Sequence, residues 1–181
     1  MLGAKAGERV IDACSGAGGK ALHLAALMQG DGRVFAMDVD AKKLKELERR
    51  ASRAGAGCVK AKLIMEDTAE DFKGIADRLL IDAPCSGLGT LKRQPDLRWR
   101  LRPAAVERVR SIQAELLEEY PKMLKPGGTL VYATCSVLPS ENRNQVEKLL
   151  SAGGFELVED KVISPAKFGF DGFYAAVMRK K

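Results

Sequence analysis

Histidine and tryptophan occur once each in this chain of 181 residues, as His23 and Trp99, and aromatic residues reach only 6%. The four cysteines, Cys14, Cys58, Cys85 and Cys135, form no C-x-x-C pair. A zinc centre would have to gather scattered ligands, so no metal is expected. A disulfide framework is not expected either, because a domain of this size holds together on its apolar core. No apolar run approaches the ~20 residues that cross a bilayer. Residues 1–8 lack the apolar stretch of a signal peptide. The expectation is a cytoplasmic protein without a membrane partner.

What is present is a globular mixture, 46% hydrophobic and 30% charged, of a size for one domain. Thirty Lys and Arg against 24 Asp and Glu give a net charge of +6. The excess is uneven. Residues 91–110 hold Lys92, Arg93, Arg98, Arg100, Arg102, Arg108 and Arg110 against Asp96 and Glu107, a local net charge of +5. That excess suits a polyanion, nucleic acid first, although a solvated basic face has the same composition. The basic stretch at 42–53 is read as such a solvated face.

Apolar β-type runs alternate with helical spacing along the chain. Strands are expected at 9–13, 33–38, 58–65, 78–82 and 129–134, with two closing strands at 155–158 and 173–178 that form an antiparallel pair. Helices are expected at 20–28, with Leu24, Leu27 and Met28 on one side, and from the cap Asp40 to Gly55. Further helices are expected at 104–124, with a bend at Pro121, and at 140–150. Residues 84–103 hold three prolines and two glycines without a sustained period and read as a long functional loop. The alternation implies an α/β fold with a mostly parallel sheet covered on both faces.

In such sheets ligands bind beyond the carboxyl ends of the strands. Five strand ends deliver Cys14–Lys20 with its glycines, Asp38, Asp67, Asp82 with Cys85, and Cys135. The loop Cys14-Ser15-Gly16-Ala17-Gly18-Gly19-Lys20 joins a strand to a helix, where backbone N–H groups are free to meet a ligand. It is a weak signal alone, since nicotinamide, flavin and adenosylmethionine proteins share it. It is not a triphosphate loop, because Ala21 follows Lys20 where Ser or Thr is required. Asp38 suits the hydroxyls of a ribose, or else caps a helix. Pro84 fixes the strand exit so that Cys85 projects from a turn, and Thr134-Cys135-Ser136 repeats the pattern on the next strand. A neighbouring lysine and helix N-termini would lower a thiol pKa there.

Three segments carry a family resemblance: Asp-Ala-Pro-Cys-Ser-Gly at 82–87, Gly-Gly-Thr-Leu-Val-Tyr-Ala-Thr-Cys-Ser at 127–136, and Arg-Gln-Pro-Asp-Leu-Arg-Trp at 93–99. Pro-Ser-Glu-Asn at 139–142 and Asp-Gly-Phe-Tyr at 171–174 add to it. Over nearly its whole length the chain resembles the RNA cytosine-5 methyltransferases of the Sun/Fmu (Nol/Nop) type. The resemblance implies a class I, Rossmann-like, doubly wound domain with a mostly parallel seven-stranded sheet that uses S-adenosylmethionine. It implies RNA as partner, ribosomal more than transfer RNA.

Carried over by position, the resemblance makes Cys135 the nucleophile that adds to cytosine carbon 6, which turns carbon 5 into a nucleophile. Cys85 would assist proton removal from carbon 5 and release of the enzyme thiol. Asp82 would hold the base edge near ring nitrogen 3 and also touch the cofactor, with Lys20 assisting electrostatically. Cys14, Ser15, Gly16, Ala17, Gly18, Gly19 and Lys20 would line the cofactor's amino-acid end, Asp38 its ribose and Asp67 its adenine. Lys92, Arg93 and Arg98 would meet RNA, with Trp99 on the same loop.

Two departures stand out. The family's loop carries Ala-Pro where this chain has Gly16-Ala17, which costs rigidity. The family also has helices and often an RNA-binding domain ahead of the first strand, so residues 1–181 are expected to be a single catalytic domain that takes RNA contacts from a separate domain or subunit. Two other readings stay open. One is a DNA cytosine-5 methyltransferase with Cys85 as nucleophile, and the other is a cofactor- or RNA-binding core without turnover.

Overall fold

The computed structural model describes all residues from Met1 to Lys181. Its strands are β1 (Arg9–Asp12), β2 (Arg33–Asp38), β3 (Val59–Leu63), β4 (Ala76–Asp82), β5 (Leu124–Thr134), β6 (Phe155–Ile163) and β7 (Phe173–Lys180). Its helices are α1 (Gly19–Leu27), α2 (Ala41–Arg53), α3 (Thr68–Asp71), α4 (Leu97–Arg100), α5 (Pro103–Glu119), α6 (Arg143–Ser151) and α7 (Pro165–Phe168). The strands form one sheet in the order β3-β2-β1-β4-β5-β7-β6. Only the two ladders of β7 are antiparallel, so β7 alone runs against the other six strands. This is the seven-stranded, mostly parallel, doubly wound sheet that was expected.

Side chains that alternate across the central strands feed two cores. Ile11, Leu79, Ile81, Leu130 and Tyr132 enter one core, whereas their neighbours Val10, Leu80 and Val131 enter the other. Strands buried on both faces need apolar residues at every position, which is why they read as unbroken runs. On one face α1 and α2 contribute Leu24, Ala25, Leu44 and Leu47; on the other, α3, α5 and α6 contribute Ala69, Leu117 and Val146. Asp40 caps α2 by accepting from the Lys42 amide at 2.8 Å, as its position suggested. No helix is long and apolar enough to cross a membrane.

Several boundaries move. The helix expected to reach 124 ends at Glu119; a 3-10 turn covers Tyr120–Met123, and Leu124 already pairs with Ala76 in β5. Pro121 lacks the amide that would continue the helix. The register of β5 then jumps from Leu124 to Thr129 across a glycine-containing bulge. β6 continues to Ile163 past a break at Val158. It is an edge strand, and its charged Glu156, Glu159, Asp160 and Lys161 hide the period while guarding the edge. Leu27 is 51% exposed, and Ala21 and Ala25 pack in its place on α1. The loop at 84–103 contains the 3-10 turn Leu88–Thr90 and the single turn α4.

Candidate active site

Because β1, β2, β4 and β5 run parallel, their last residues Asp12, Asp38, Asp82 and Thr134 share one edge of the sheet. The order reverses beside β1, where β2 lies on one side and β4 on the other, and that is the switch point at which such sheets bind ligands.

β4 and β5 lie side by side with Asp82 opposite Ala133, so Cys85 and Cys135 leave adjacent strands. Their Sγ atoms stand 3.3 Å apart, both half-buried. The Cys135 thiol is lowered from its ordinary value to about 7, chiefly because Cys85 hydrogen-bonds its thiolate. Burial and the Asp82 charge oppose that shift, and Lys20 adds a smaller favourable share. The same bond, then burial and the neighbouring Cys135 charge, pushes the Cys85 thiol far up. The two thiols thus share one hydrogen bond, which either sulfur can donate and which favours loss of one proton from the pair. A neighbouring thiol does most of what sequence reasoning assigned to a lysine and helix termini.

Backbone packing fixes the strand end that carries Cys135. The Gly89 amide donates to the Cys135 carbonyl at 2.9 Å, and the Gly172 amide donates to the Gly89 carbonyl at 2.7 Å. A Cβ on Gly89 would stand 2.1 Å from the Gly172 oxygen and 2.7 Å from the Cys135 oxygen, so only glycine fits. Asp82, next to the thiols, forms an ion pair with Lys20.

Asp82 also lines a cavity of about 500 Å³ together with Ala13, Cys14, Gly16, Asp38 and Lys43. Its other wall is apolar: Val39, Ile64, Pro84, Ile112, Leu116 and Tyr120. Asp38 is buried, and its carboxylate accepts the Gly16 amide at 2.8 Å and the Asp40 amide at 2.9 Å. It thus holds the glycine loop closed while keeping lone pairs for a ligand. Gly18, at φ +87°, is held so close to Leu47 that a Cβ would meet its Cγ at 2.7 Å. Both carboxylate oxygens of the fully buried Asp12 and the hydroxyl of Ser15 have no hydrogen-bond partner. Burial, then the Asp82 charge, raises Asp12 to about 7, with Lys20 pulling the other way. Burial pushes the Cys14 thiol up to about 12, which leaves it inert as a nucleophile.

The structure brings together Lys20, Asp82, Cys85 and Cys135 on one side and Cys14, Gly16 and Asp38 on the other. Asp67 stands exposed at the start of α3, outside the cavity lining, where Ile64 takes its place. Lys92 donates to the Gly169 carbonyl at 2.9 Å, and Arg93 pairs with Asp171 at 2.6 Å. Both therefore tie the 164–172 segment to the basic loop. Arg98 stacks 4.7 Å over Trp99, which is 73% exposed. Sequence reasoning missed Val39, Lys43, Ile64, Ile112, Leu116 and Tyr120. The last three recur every four residues, one apolar stripe along α5 into the 3-10 turn after it that periodicity could have shown.

The sequence model of the family described as 16S rRNA methyltransferase RsmB/F matches residues 1–177. The chain belongs to the RsmB/F family. It is 36% identical to the ribosomal RNA small subunit methyltransferase B of Shewanella oneidensis, covering 99% of this chain and 45% of that protein. A probable methyltransferase of the same name from Bacillus subtilis is likewise 36% identical, with coverage of 99% and 45%. The solved structure of NSun6 from Pyrococcus horikoshii with SFG, an analogue of S-adenosylmethionine, superposes with a TM-score of 0.88 at 30% identity. That match covers 99% of this chain and 49% of the other. This RsmB/F chain thus spans about half the length of those relatives.

Proposed function

We propose that residues 1–181 act as one catalytic domain that methylates carbon 5 of cytosine in RNA, ribosomal RNA first, with S-adenosylmethionine as methyl donor. The observation that carries this reading is the 3.3 Å contact between Cys135 and Cys85 at adjacent strand ends. The cavity fits the donor: an apolar wall of Val39, Ile64 and Leu116 for a purine, Asp38 for ribose hydroxyls, and Gly16 with the unpartnered Ser15 hydroxyl at the loop. When bound, the donor supplies an electrophilic methyl group. Asp82 borders both the cavity and the thiols, so the methyl acceptor and its donor meet across it.

The Cys135 thiolate spends its electron pair on a bond to carbon 6, and the π pair of the broken C5–C6 double bond is released into the ring so that carbon 5 becomes nucleophilic. Asp82 and Lys20 face the charge that develops on the pyrimidine. Once Sγ of Cys135 is bonded to carbon 6, two causes of the raised Cys85 pKa vanish, its hydrogen bond to that sulfur and the neighbouring charge. Burial still raises the thiol, so it is the small thiolate fraction of Cys85, its proton passed to water, that takes the carbon 5 proton after methylation. The electrons of that C–H bond rebuild the ring double bond and expel Cys135 as thiolate. A second thiol at hydrogen-bond distance has no task in the DNA-type mechanism, which favours Cys135 as nucleophile.

An RNA face adjoins the thiols. The segment at 164–172, tied down by Lys92 and Arg93, presents Phe168 at 48% and Phe170 at 70% exposure with Lys167 over the Phe168 ring, and the basic loop adds the Arg98–Trp99 stack. Exposed rings interleaved with cations suit unpaired nucleotides. The test is methyl incorporation into cytosine-containing ribosomal RNA and matched DNA. Wild type is expected to methylate the RNA, Cys135→Ala to lose more than about 1,000-fold, and Cys85→Ala to accumulate a covalent protein–RNA adduct. Full turnover by Cys135→Ala, or transfer to DNA alone, overturns the assignment. Binding of an S-adenosylmethionine analogue without transfer to any RNA would leave only a binding core.

A further inference from the structure

One buried carboxylate lies beside both thiol loops and takes no part in the reaction above. Glu141 is fully buried in the 3-10 turn Pro139–Glu141 that follows β5. All its partners are neutral. Oε1 accepts the Ser86 amide at 2.8 Å and Gln113 Nε2 at 3.2 Å. Oε2 accepts the Ser86 hydroxyl at 2.5 Å and the Ser136 hydroxyl. Ser86 directly follows Cys85, and Ser136 directly follows Cys135. Gln113, also fully buried, sends the same Nε2 to the carbonyl of Pro84 at 2.9 Å, the residue before Cys85. The turn itself is pinned, since the Tyr132 hydroxyl donates to the Glu141 carbonyl at 2.7 Å and Asn142 Nδ2 donates to the Ser136 carbonyl at 3.0 Å.

A buried carboxylate with no cation is an expensive way to fill space, and a well-packed apolar group would be the more stable choice. Its directional gain lies in where its four acceptor contacts go. Three of them go to Ser86 and Ser136 on the two thiol loops, and the fourth goes to Gln113 on α5. The backbones of the loops meet at the Ala83–Ala133 and Gly89–Cys135 amide bonds, both 2.9 Å, and next to the thiols themselves the span is made by side chains, Glu141 and the Ser86–Ser136 hydroxyl contact at 3.2 Å. We propose that Glu141 is a positioning residue that holds Cys85 and Cys135 in hydrogen-bond contact by bridging the serines that follow them.

The inference deepens the proposed reaction and rests on the two thiols acting as a pair. It predicts that loosening the bridge separates the sulfurs and costs Cys135 its hydrogen bond, while Asp82 and Lys20, the charged groups that also face it, stay in place. The measurement is alkylation of Cys135 by iodoacetamide as a function of pH, resolved from the other cysteines by peptide mass spectrometry on the full chain. Wild type is expected to titrate near pH 7. Glu141→Gln keeps the shape but replaces one acceptor oxygen by a donor, and its midpoint is expected to rise by about one unit or more, with alkylation at neutral pH about fivefold slower. A residue that only supports the fold would lower the melting temperature without moving that midpoint.

Should Glu141→Gln fail to fold, the double variant Ser86→Ala with Ser136→Ala removes both hydroxyls that reach Oε2 and is expected to shift the midpoint the same way. A folded variant with an unchanged midpoint overturns the proposal. Alkylation needs neither RNA nor methyl donor. A wild type that alkylates near pH 7 yet transfers no methyl group refutes the proposed function and still tests the bridge.

Discussion

Asp12 and Glu141 are both carboxylates at zero exposure near the same sheet edge, and the protein treats them in opposite ways. Glu141, on the β4–β5 side, receives donors from Ser86, Gln113 and Ser136 and is braced from two directions. Asp12, on the β1 side beside the cofactor cavity, receives no hydrogen bond at either oxygen. Most buried polar groups find a partner, so an unsatisfied one marks a place where stability has yielded to another demand. The thiol side is built for fixed geometry. The β1 side carries a carboxyl that keeps its proton up to about pH 7 within reach of the Asp82 and Lys20 charges.

Three changes break or sharpen this contrast. The largest effect belongs to the braced side. Gly89→Ala forces a methyl group against the Gly172 and Cys135 carbonyls, and we expect a loss of about 3 kcal/mol in urea unfolding, with methyl transfer falling by more than about tenfold. Unchanged stability would mean that the braced side has slack.

Next comes Asp12→Asn. A folded-state pKa raised from 3.8 to about 7 means that the wild-type protein loses stability as pH climbs through that window, because the unfolded chain has already released its proton. The variant lacks that slope, so its advantage over wild type should grow between pH 4 and pH 8 to a few kcal/mol, at about 1.4 kcal/mol for each pH unit between the unfolded and folded pKa. Parallel stability curves for the two proteins would remove the contrast. Smallest is Phe170→Ala at the RNA face, expected to weaken RNA binding by about 1 kcal/mol, with the melting temperature unmoved.

Much of the fold could be read directly. Unbroken runs such as Leu79-Leu80-Ile81 announce strands buried on both faces, and the glycine loop with Asp38 one strand later locates the cavity. The thiol pair was legible because Pro84-Cys85 and Thr134-Cys135 both close apolar runs. What escaped depends on distant neighbours. Glu141 sits in a polar stretch at a helix start and reads as a cap until Ser86, 55 residues earlier, is seen to donate to it. That the pair gives up one proton readily is a property of its 3.3 Å contact, which has no sequence signature. Lys92 and Arg93 read as free cations, yet tertiary structure spends them on the Gly169 carbonyl and Asp171. β6 was underestimated because an edge strand may carry any polar residue that keeps other edges away.

The chain of amides from Gly172 to Gly89 to Cys135 links the segment that exposes Phe168 and Phe170 to the backbone of Cys135. With no side chain between the three backbones, there is no soft material to absorb a displacement. In the proposed reaction, a nucleotide held at Phe170 is therefore expected to load the Cys135 carbonyl, so that a substrate seated out of register draws the sulfur off its line of attack before any bond is made.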